Sequence, residues 1–315
     1  MKKILKKFIP HIFFELREDL LKSIESRKEK KAYDDGKMEE YLIKWYKKRT
    51  GQILDLKHPK TYTEKQQWLK LYACNDMKIR CTDKWLVRDF IKDTIGEEYL
   101  IPIITNNGKS TFKNSFEIDF QQLPEQFVIQ CNHGSGMTYI VKSKSILGEK
   151  GFRKIQRKLN KYLKINYAFR GGFEMVYNNI EPLIFITKYL TIGDDLPDYK
   201  FMCFNSKPCY VWVDTGRFLE HKRTVFDLNF SPTDFKLHTY PPVDSIKKPN
   251  VFKEMLEITT KLATFFDDYV RIDFYLVENN IYFGELTFSS GSGTELPKPD
   301  EANVMLGELL KLPID

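Results

Sequence analysis

Apolar residues recur along this chain in two rhythms. In the first 50 or so residues Ile4, Phe8, Ile12, Leu16, Leu20 and Ile24 return every fourth position, with Leu5, Ile9, Phe13 and Leu21 beside them. That spacing predicts helix. Thr61 and Glu64 stand at the spacing of a capping box, ahead of a helix carrying Trp68, Leu69 and Tyr72. Thr82 is expected to cap a further helix headed by Asp83 and Lys84. Residues 100–105 read as a buried strand and 112–124 as loop and turn. Strands at 127–130 and 139–142 flank the turn Cys131-Asn-His-Gly-Ser-Gly136, and helix is expected at 151–163. A strand at 183–190 and a loop at 191–197 lead to a hairpin, 199–205 and 208–214, turning at Ser206-Lys207. Residues 215–250 hold four prolines and read as irregular, and 251–266 as helix.

The last stretch alternates strictly. Two β-branched and aromatic runs, 269–277 and 281–287, flank Glu278-Asn279-Asn280, which predicts a hairpin with a three-residue loop. Val277 then faces Ile281, Asp273 faces Glu285, and Arg271 faces Thr287, all four polar residues on one side of the sheet. Two facing carboxylates repel. A divalent cation held by Asp273, Glu285 and Thr287 would remove the repulsion, and oxygen donors are what Mg²⁺ prefers. An ordinary solvent-facing hairpin in which Arg271 screens the acids is the alternative.

Composition narrows the class without choosing a function. The 315 residues suffice for two or three lobes, and 42% hydrophobic content is that of a globular protein. Fifty Lys and Arg against 43 Asp and Glu give a net charge of +7, which suits an acidic polymer, an anionic membrane surface or a nucleotide. The five cysteines form no C-x-x-C pair, which points to reduced thiols in a cytoplasm. No apolar run is long enough to span a bilayer, and Pro10 and Glu15 interrupt the resemblance of the start to a signal peptide. Lys2, Lys3, Lys6, Lys7, Arg17 and Lys22 make the first helix basic and amphipathic. Such a helix docks on its own protein, on a second copy or at the inner membrane face.

Several residues could carry chemistry. Glycines in Asn132-His-Gly-Ser-Gly136 let backbone N–H groups close on an anion, and Asn132 and Ser135 can donate too. A plain hairpin turn reads the same way, and His133 reads as a structural donor. Lys84 heads a predicted helix, while Lys142 and Lys200 lie on predicted strands, each able to reach an anion in one cleft. Asp214, Arg217 and Arg223 are a third charged group, equally readable as surface loop.

The order of these pieces resembles the ATP-grasp superfamily, and more closely the TupA-like ATP-grasp family associated with teichuronopeptide and surface-polysaccharide genes. The resemblance rests on residues 58–72, Thr82-Asp-Lys-Trp85, 127–136, Tyr199-Lys-Phe-Met-Cys-Phe-Asn205, Arg271-Ile-Asp-Phe274 and 284–293, and covers about residues 55 to 310. It implies an α+β fold: a helical region at 1–75, a linker subdomain at 76–125, a small lobe at 126–190 and a large lobe at 191–315, with ATP clasped between lobes. It implies that Lys84 contacts the phosphates, that Asn132, His133, Gly134, Ser135 and Gly136 form the phosphate loop, and that Lys188, Tyr189 and Leu190 meet adenine at the hinge. Asp273, Glu285 and Thr287 would hold Mg²⁺, with Arg271, Lys200 and Arg217 as catalytic candidates. Three positions depart from the pattern. Gln130 stands where a second ATP lysine is expected, which would either weaken ATP binding or shift that duty to Lys142; Thr187 replaces a hinge glutamate; and Phe173-Glu174-Met175 replaces Arg-Glu-Trp.

The implied activity is an ATP-dependent carboxylate–amine ligase of cell-surface polysaccharide synthesis. It would couple an acidic sugar or polysaccharide to a small amine, an amino acid or amino alcohol, in the cytoplasm. No nucleic-acid partner is expected. A glycosyltransferase of the same pathway, or a non-catalytic nucleotide- or glycan-binding module, are the rival readings.

Overall fold

The structure is a computed structural model that describes residues 11–190, 196–216, 220–237, 240–243 and 246–314, with side chains from Leu21 onward. Five helices open the chain: α1 (His11–Asp34), α2 (Met38–Thr50), α3 (Tyr62–Tyr72), α4 (Asp76–Thr82) and α5 (Val87–Thr94). The capping box of α3 forms as its spacing predicts: Thr61 Oγ1 accepts from the Glu64 N–H, and the Glu64 carboxylate accepts from the Thr61 N–H at 2.9 Å. Thr82 caps nothing. It closes α4, and Asp83 Oδ1 instead accepts from the N–H groups of Trp85 (2.8 Å) and Leu86 (3.2 Å) ahead of α5. Asp83 precedes those N–H groups by two and three residues, the spacing at which a capping side chain reaches them.

The first sheet contains β1 (Thr111–Phe112), β2 (Phe127–Cys131), β3 (Thr138–Val141) and β4 (Ile184–Lys188), in the order β1-β4-β2-β3. One face buries Phe127, Ile129 and Ile186 against Phe152 and Leu159 of α6 (Lys144–Tyr162). β1 ends at Phe112, the first residue of the stretch expected to be loop. Residues 100–105 form only a bridge, Ile103 to Thr187, rather than a full strand. Pro102 has no N–H to give to a ladder; its carbonyl accepts from the Lys188 N–H at 2.9 Å.

The second sheet has five strands: β5 (Asp198–Phe204), β6 (Lys207–Thr215), β7 (Lys222–Phe226), β9 (Tyr269–Val277) and β10 (Asn280–Thr287), in the order β10-β9-β5-β6-β7. β8 (Lys236–Leu237) pairs separately with β11 (Pro297–Lys298). Thus the stretch expected to be irregular carries β7 and β8. The β5–β6 turn uses Asn205 and Ser206, both at positive φ, one residue earlier than expected. One face of this sheet buries Phe201, Val211, Ile272 and Phe274 under α7 (Phe252–Ala263) and α5. The opposite face is divided. Met202, Phe204 and Tyr269, with Trp212 of β6 and Val225 of β7, join Tyr62 of α3 and Leu306 of α8 (Glu301–Leu309) in one cluster, while Asp198, Lys200, Arg271 and Asp273 make part of that face charged. Alternation along β5 and β9 produces both halves: the same face that is apolar at Phe204 is charged at Lys200 and Asp198.

No helix among the described residues is long and apolar enough to cross a membrane. The basic start of the chain, residues 1–10, lies outside the described residues. Further along α1, Glu29 is fully buried and both its carboxylate oxygens accept from the Gly172 N–H at 3.2 Å. Burial pushes this carboxyl up to about 7, against the pull of the Gly172 N–H and of Lys70. A carboxyl raised in the folded state contributes stability that is complete below its ordinary value of 4.5 and is lost as pH rises towards 7. Glu29→Gln keeps an acceptor for Gly172 but cannot titrate. The difference in melting temperature between wild type and Glu29→Gln is therefore expected to change across pH 4.5–7, in the direction of relatively lower wild-type stability at the upper end. Glu29→Leu leaves the Gly172 N–H unsatisfied and is expected to cost about 1–3 kcal/mol in urea denaturation.

Candidate active site

The β9–β10 hairpin differs from its sequence reading in two places, and the differences cancel. Val277 pairs with Asn280, so the loop is only Glu278-Asn279, both at positive φ as a tight primed turn requires. That moves Ile281 opposite Leu276 rather than Val277. A bulge then skips Gly284 and restores the expected register: Asp273 faces Glu285, and Arg271 faces Thr287. Glycine suits this position, since a Cβ at Gly284 would lie 3.0 Å from the Asp273 carbonyl oxygen, a tight approach.

Asp273 is the centre of a buried charge cluster. Arg271 forks onto it, Nε to Oδ1 and Nη2 to Oδ2, both at 2.6 Å. The same guanidinium reaches Glu285 Oε1 at 2.9 Å, Thr287 Oγ1 at 3.0 Å and Ser290 Oγ at 3.2 Å. Lys200, opposite Asp273 on β5, places Nζ 2.6 Å from Asp273 Oδ2 and 2.5 Å from Asp198 Oδ2. The acidic neighbours raise the Arg271 guanidinium further above its already high value, although burial opposes this. Glu285 is the open member, its side chain 37% exposed against 2% for Asp273.

The glycine turn of the first sheet meets this cluster through Lys84. Its Nζ donates to the Gly134 carbonyl at 3.0 Å and lies 3.8 Å from Glu285 Oε2. Asn132 and His133 serve the turn itself. The Asn132 amide is buried, donating to Asp83 Oδ2 (2.9 Å) and the Glu181 carbonyl (3.0 Å) while accepting from the Leu183 N–H (2.8 Å). His133 is held between Asn132 Oδ1 and the Tyr162 carbonyl, and burial keeps its imidazole below its ordinary pKa. Ser135 and Gly136 form the exposed tip, and backbone N–H groups there can close on an anion. Gly134 cannot carry a side chain, since a Cβ would lie 2.7 Å from the Tyr167 ring.

Other expected residues lie apart. Gln130 faces Thr138 near the turn, whereas Lys142 follows Val141 at the far end of the hairpin, where Val141 faces Phe127. Four residues of strand, about 13 Å, separate Lys142 from the position opposite Gln130. The structure therefore does not bring these two together, because a returning strand carries its later residues away from the turn. Lys188 ends β4 on the exposed side, and Tyr189 and Leu190 begin the connection to the second sheet. Arg217 lies outside the described residues. Arg223 and His221 both bind Asp214: Nε to Oδ1 at 2.6 Å, Nη2 to Oδ2 at 3.1 Å, and the imidazole at 3.0 Å. Burial works to raise Asp214, but Arg223, Lys200 and His221 together hold it below the ordinary carboxylate range.

Sequence reading missed two parts of the site. Asp198 sits two residues before Lys200 on a strand, so both share a face, and that spacing was a usable signal. The second part is the contact between two stretches already named, Glu174 of Phe173-Glu174-Met175 and Ser289 of 284–293: Ser289 Oγ donates to Glu174 Oε2 at 2.8 Å across a separation of 115 residues, which no spacing signals.

A model of the TupA-like ATP-grasp family matches residues 64–311. A comparison with curated proteins gave no match. Among solved structures, the chain is similar to D-alanine–D-alanine ligase from Bacillus anthracis, with 15% identity and a TM-score of 0.42 over 73% of this chain and 65% of that one. The corresponding enzyme from Helicobacter pylori gives 17% and 0.40, over 79% and 69%. L-Amino acid ligase from Bacillus licheniformis gives 11% and 0.40, over 69% and 43%. The chain thus spans slightly less than two thirds of the Bacillus anthracis enzyme.

Two outcomes are expected from this geometry. Asp273→Asn removes the charge that holds two buried cations and should lower stability by about 3 kcal/mol. Glu285→Gln, at the open edge, should change it by less than about 1 kcal/mol, both read by urea denaturation. In nucleotide titrations Lys142→Met should leave affinity unchanged, whereas Lys84→Met should weaken it about ten-fold or more.

Proposed function

The chain belongs to the TupA-like ATP-grasp family, and from that premise we propose that it is an ATP-dependent ligase joining an acceptor carboxylate to an amine. One observation carries this reading. A single ammonium, Lys84, bridges the glycine turn of one sheet and the carboxylate hairpin of the other. A phosphate chain laid along that seam would meet backbone N–H groups at one end and the acidic hairpin at the other.

The residues present fit Mg²⁺. Asp273, Glu285 and Thr287 offer only oxygen, on one face of β9 and β10, and Arg271 Nη2, which reaches all three in this structure, would have to yield that place to the ion. Among the described residues no group of three His, Cys, Asp or Glu could hold an ion alone. Two carboxylates completed by phosphate oxygens and water are the usual Mg²⁺ arrangement in phosphoryl transfer. When bound, the ion would neutralise charge on the phosphates. The chain's own part is positioning. Lys84 holds the turn, Arg271 and Lys200 supply positive charge beside the transferred group, and Thr287 orients Glu285 through a 3.2 Å hydrogen bond.

In the reaction an acceptor carboxylate oxygen bonds to the γ-phosphorus of ATP as ADP leaves. The amine nitrogen then attacks the acyl carbon, phosphate departs, and the nitrogen gives up a proton to solvent. An acidic sugar as acceptor and a small amino acid or amino alcohol as amine agree with the net charge of +7. Action at the inner face of a membrane agrees with the basic start of the chain, Lys2 to Lys7. Gln130 favours a second reading, a nucleotide-binding module without turnover, because it removes a charge at the turn.

ADP release from ATP, measured with a panel of uronic acids and amines, separates the two readings. Acid-dependent release that falls at least 100-fold in Glu285→Gln is expected for the ligase. Tight ATP binding with no release for any acid would support the module. Gln130→Lys should raise ATP affinity several-fold, since a close charge pair in a partly wet cleft is worth on the order of 1–4 kcal/mol.

A further inference from the structure

Asp198 on β5, Asp214 on β6 and Arg223 on β7 stand opposite one another in one row of the second sheet, and Lys200 stands opposite Asp273 in the next. Residues opposite one another on neighbouring strands share a face, as do residues two apart along one strand. Asp214 therefore rises on the same side as Lys200 and Asp273, and whatever covers it lies over that face. Its side chain is only 1% exposed, and its cover includes Arg223 and His221, the residue before β7.

Contacts tie this cover to the reaction centre. Arg223 and His221 share Asp214 Oδ1, at 2.6 and 3.0 Å. The Arg223 guanidinium lies 4.8 Å from the Trp212 ring, and the Arg271 guanidinium lies 5.1 Å from the same side chain. No more than one indole thus separates the two guanidiniums, and Arg271 holds Asp273.

The imidazole is fixed in orientation. Nε2 meets Asp214, and the Tyr240 ring lies across it with centroids 3.8 Å apart and planes 31° apart. Burial works against the charge of Asp214, yet Arg223, Lys200 and His221 hold it below the ordinary carboxylate range. At neutral pH it is ionised and can only accept. A neutral His221 must then carry its proton on Nε2, which leaves a lone pair on Nδ1. That nitrogen has no hydrogen-bond partner among the described residues, and the side chain is 20% exposed. A carboxylate orienting an imidazole whose other nitrogen is free is the arrangement of a general base. The neighbouring groups do not suit that task. Lys200, Arg223 and Arg271 only donate, and Asp198, Asp273 and Glu295 each face a cation. Phosphate and carboxylate oxygens carry no hydrogen at neutral pH for Nδ1 to accept, whereas an amine does.

We propose that His221, oriented by Asp214, is the general base of the second half-reaction. Nδ1 takes a proton from the neutral amine as its nitrogen attacks the acyl carbon. The C–N bond forms, the C–O bond to phosphate breaks with its electron pair leaving on phosphate, and the imidazolium passes the proton to solvent. This rests on the ligase reading. It assigns His221 nothing in acyl-phosphate formation, since an ionised carboxylate has no proton to lose.

The test separates the two half-reactions. ATP and Mg²⁺ are supplied with D-glucuronate or D-galacturonate, and with glycine or ethanolamine as amine. Parallel reactions contain hydroxylamine, which is unprotonated at neutral pH and captures an acyl phosphate as hydroxamate without a base. His221→Gln, with His221→Asn as a second variant, keeps an N–H for Asp214 and removes the base. The amide-forming kcat should fall about 100-fold or more. Hydroxamate formation and the KM of the acid should stay within about three-fold of wild type. Amide formation within about three-fold of wild type, or equal loss of amide and hydroxamate in both variants, would overturn the assignment. So would a raised KM for the acid with kcat unchanged, which is what a sugar hydroxyl bound at Nδ1 produces. Wild-type protein that binds ATP but releases no ADP with any acid and amine defeats the ligase reading instead.

Discussion

Burying Asp273 between Arg271 and Lys200 is the constraint on which the rest depends. A carboxylate taken out of water costs several kcal/mol unless cations and hydrogen bonds replace the solvent. Here they come from Arg271 on the same strand and Lys200 on β5 beside it, while Glu285 and Thr287 of β10 hold the Arg271 guanidinium, so three strands must keep register for one side chain to be tolerable. The bulge at Gly284 makes that register possible. A cluster of this kind does little for stability, since an apolar group of the same shape would serve as well or better. Its value is chemical: oxygen donors and cations already ordered on one face of a rigid sheet.

That order extends outward through contacts between segments distant in sequence. Glu29 of the first helix holds Gly172, Lys70 of α3 reaches both the Gly171 and Ser292 carbonyls, and Ser289 holds Glu174. Each contact satisfies a backbone or carboxylate group that would otherwise be buried without a partner. The helices at the start of the chain thus bear on the turn and the serine-rich loop that border the cleft. They are part of the scaffold rather than an appendage to it.

How much of this the sequence revealed follows from which features have a period. The β9–β10 face was legible because strand alternation survives an error in the loop, and the facing of Asp273 and Glu285 emerged intact from two departures that cancel. The capping box of α3 was legible because it depends on four consecutive residues. Lys142 shows the opposite case: the strand was read rightly, but its separation from Gln130 grows with distance from the turn. Tyr167 left no signal, because a short tight turn has no hydrophobic rhythm, and the pairing of Glu174 with Ser289 left none because the two lie in distant parts of the chain. The strands β7 and β8 were hidden by charged residues, Lys222, Arg223 and Lys236, that the sheet's polar side accepts.

The central claim is that the Asp273–Glu285 pair and a nucleotide's phosphates share one ion. Pulsed electron paramagnetic resonance tests it most directly, with Mn²⁺ in place of Mg²⁺, ATP bound, and protein labelled with ¹³C at Asp and Glu carboxylates. The account predicts ³¹P and ¹³C-carboxylate couplings on the same Mn²⁺, with the carboxylate coupling diminished in Glu285→Gln. Phosphorus couplings alone from protein-bound Mn²⁺ and ATP, with none from a protein carboxylate, would contradict it.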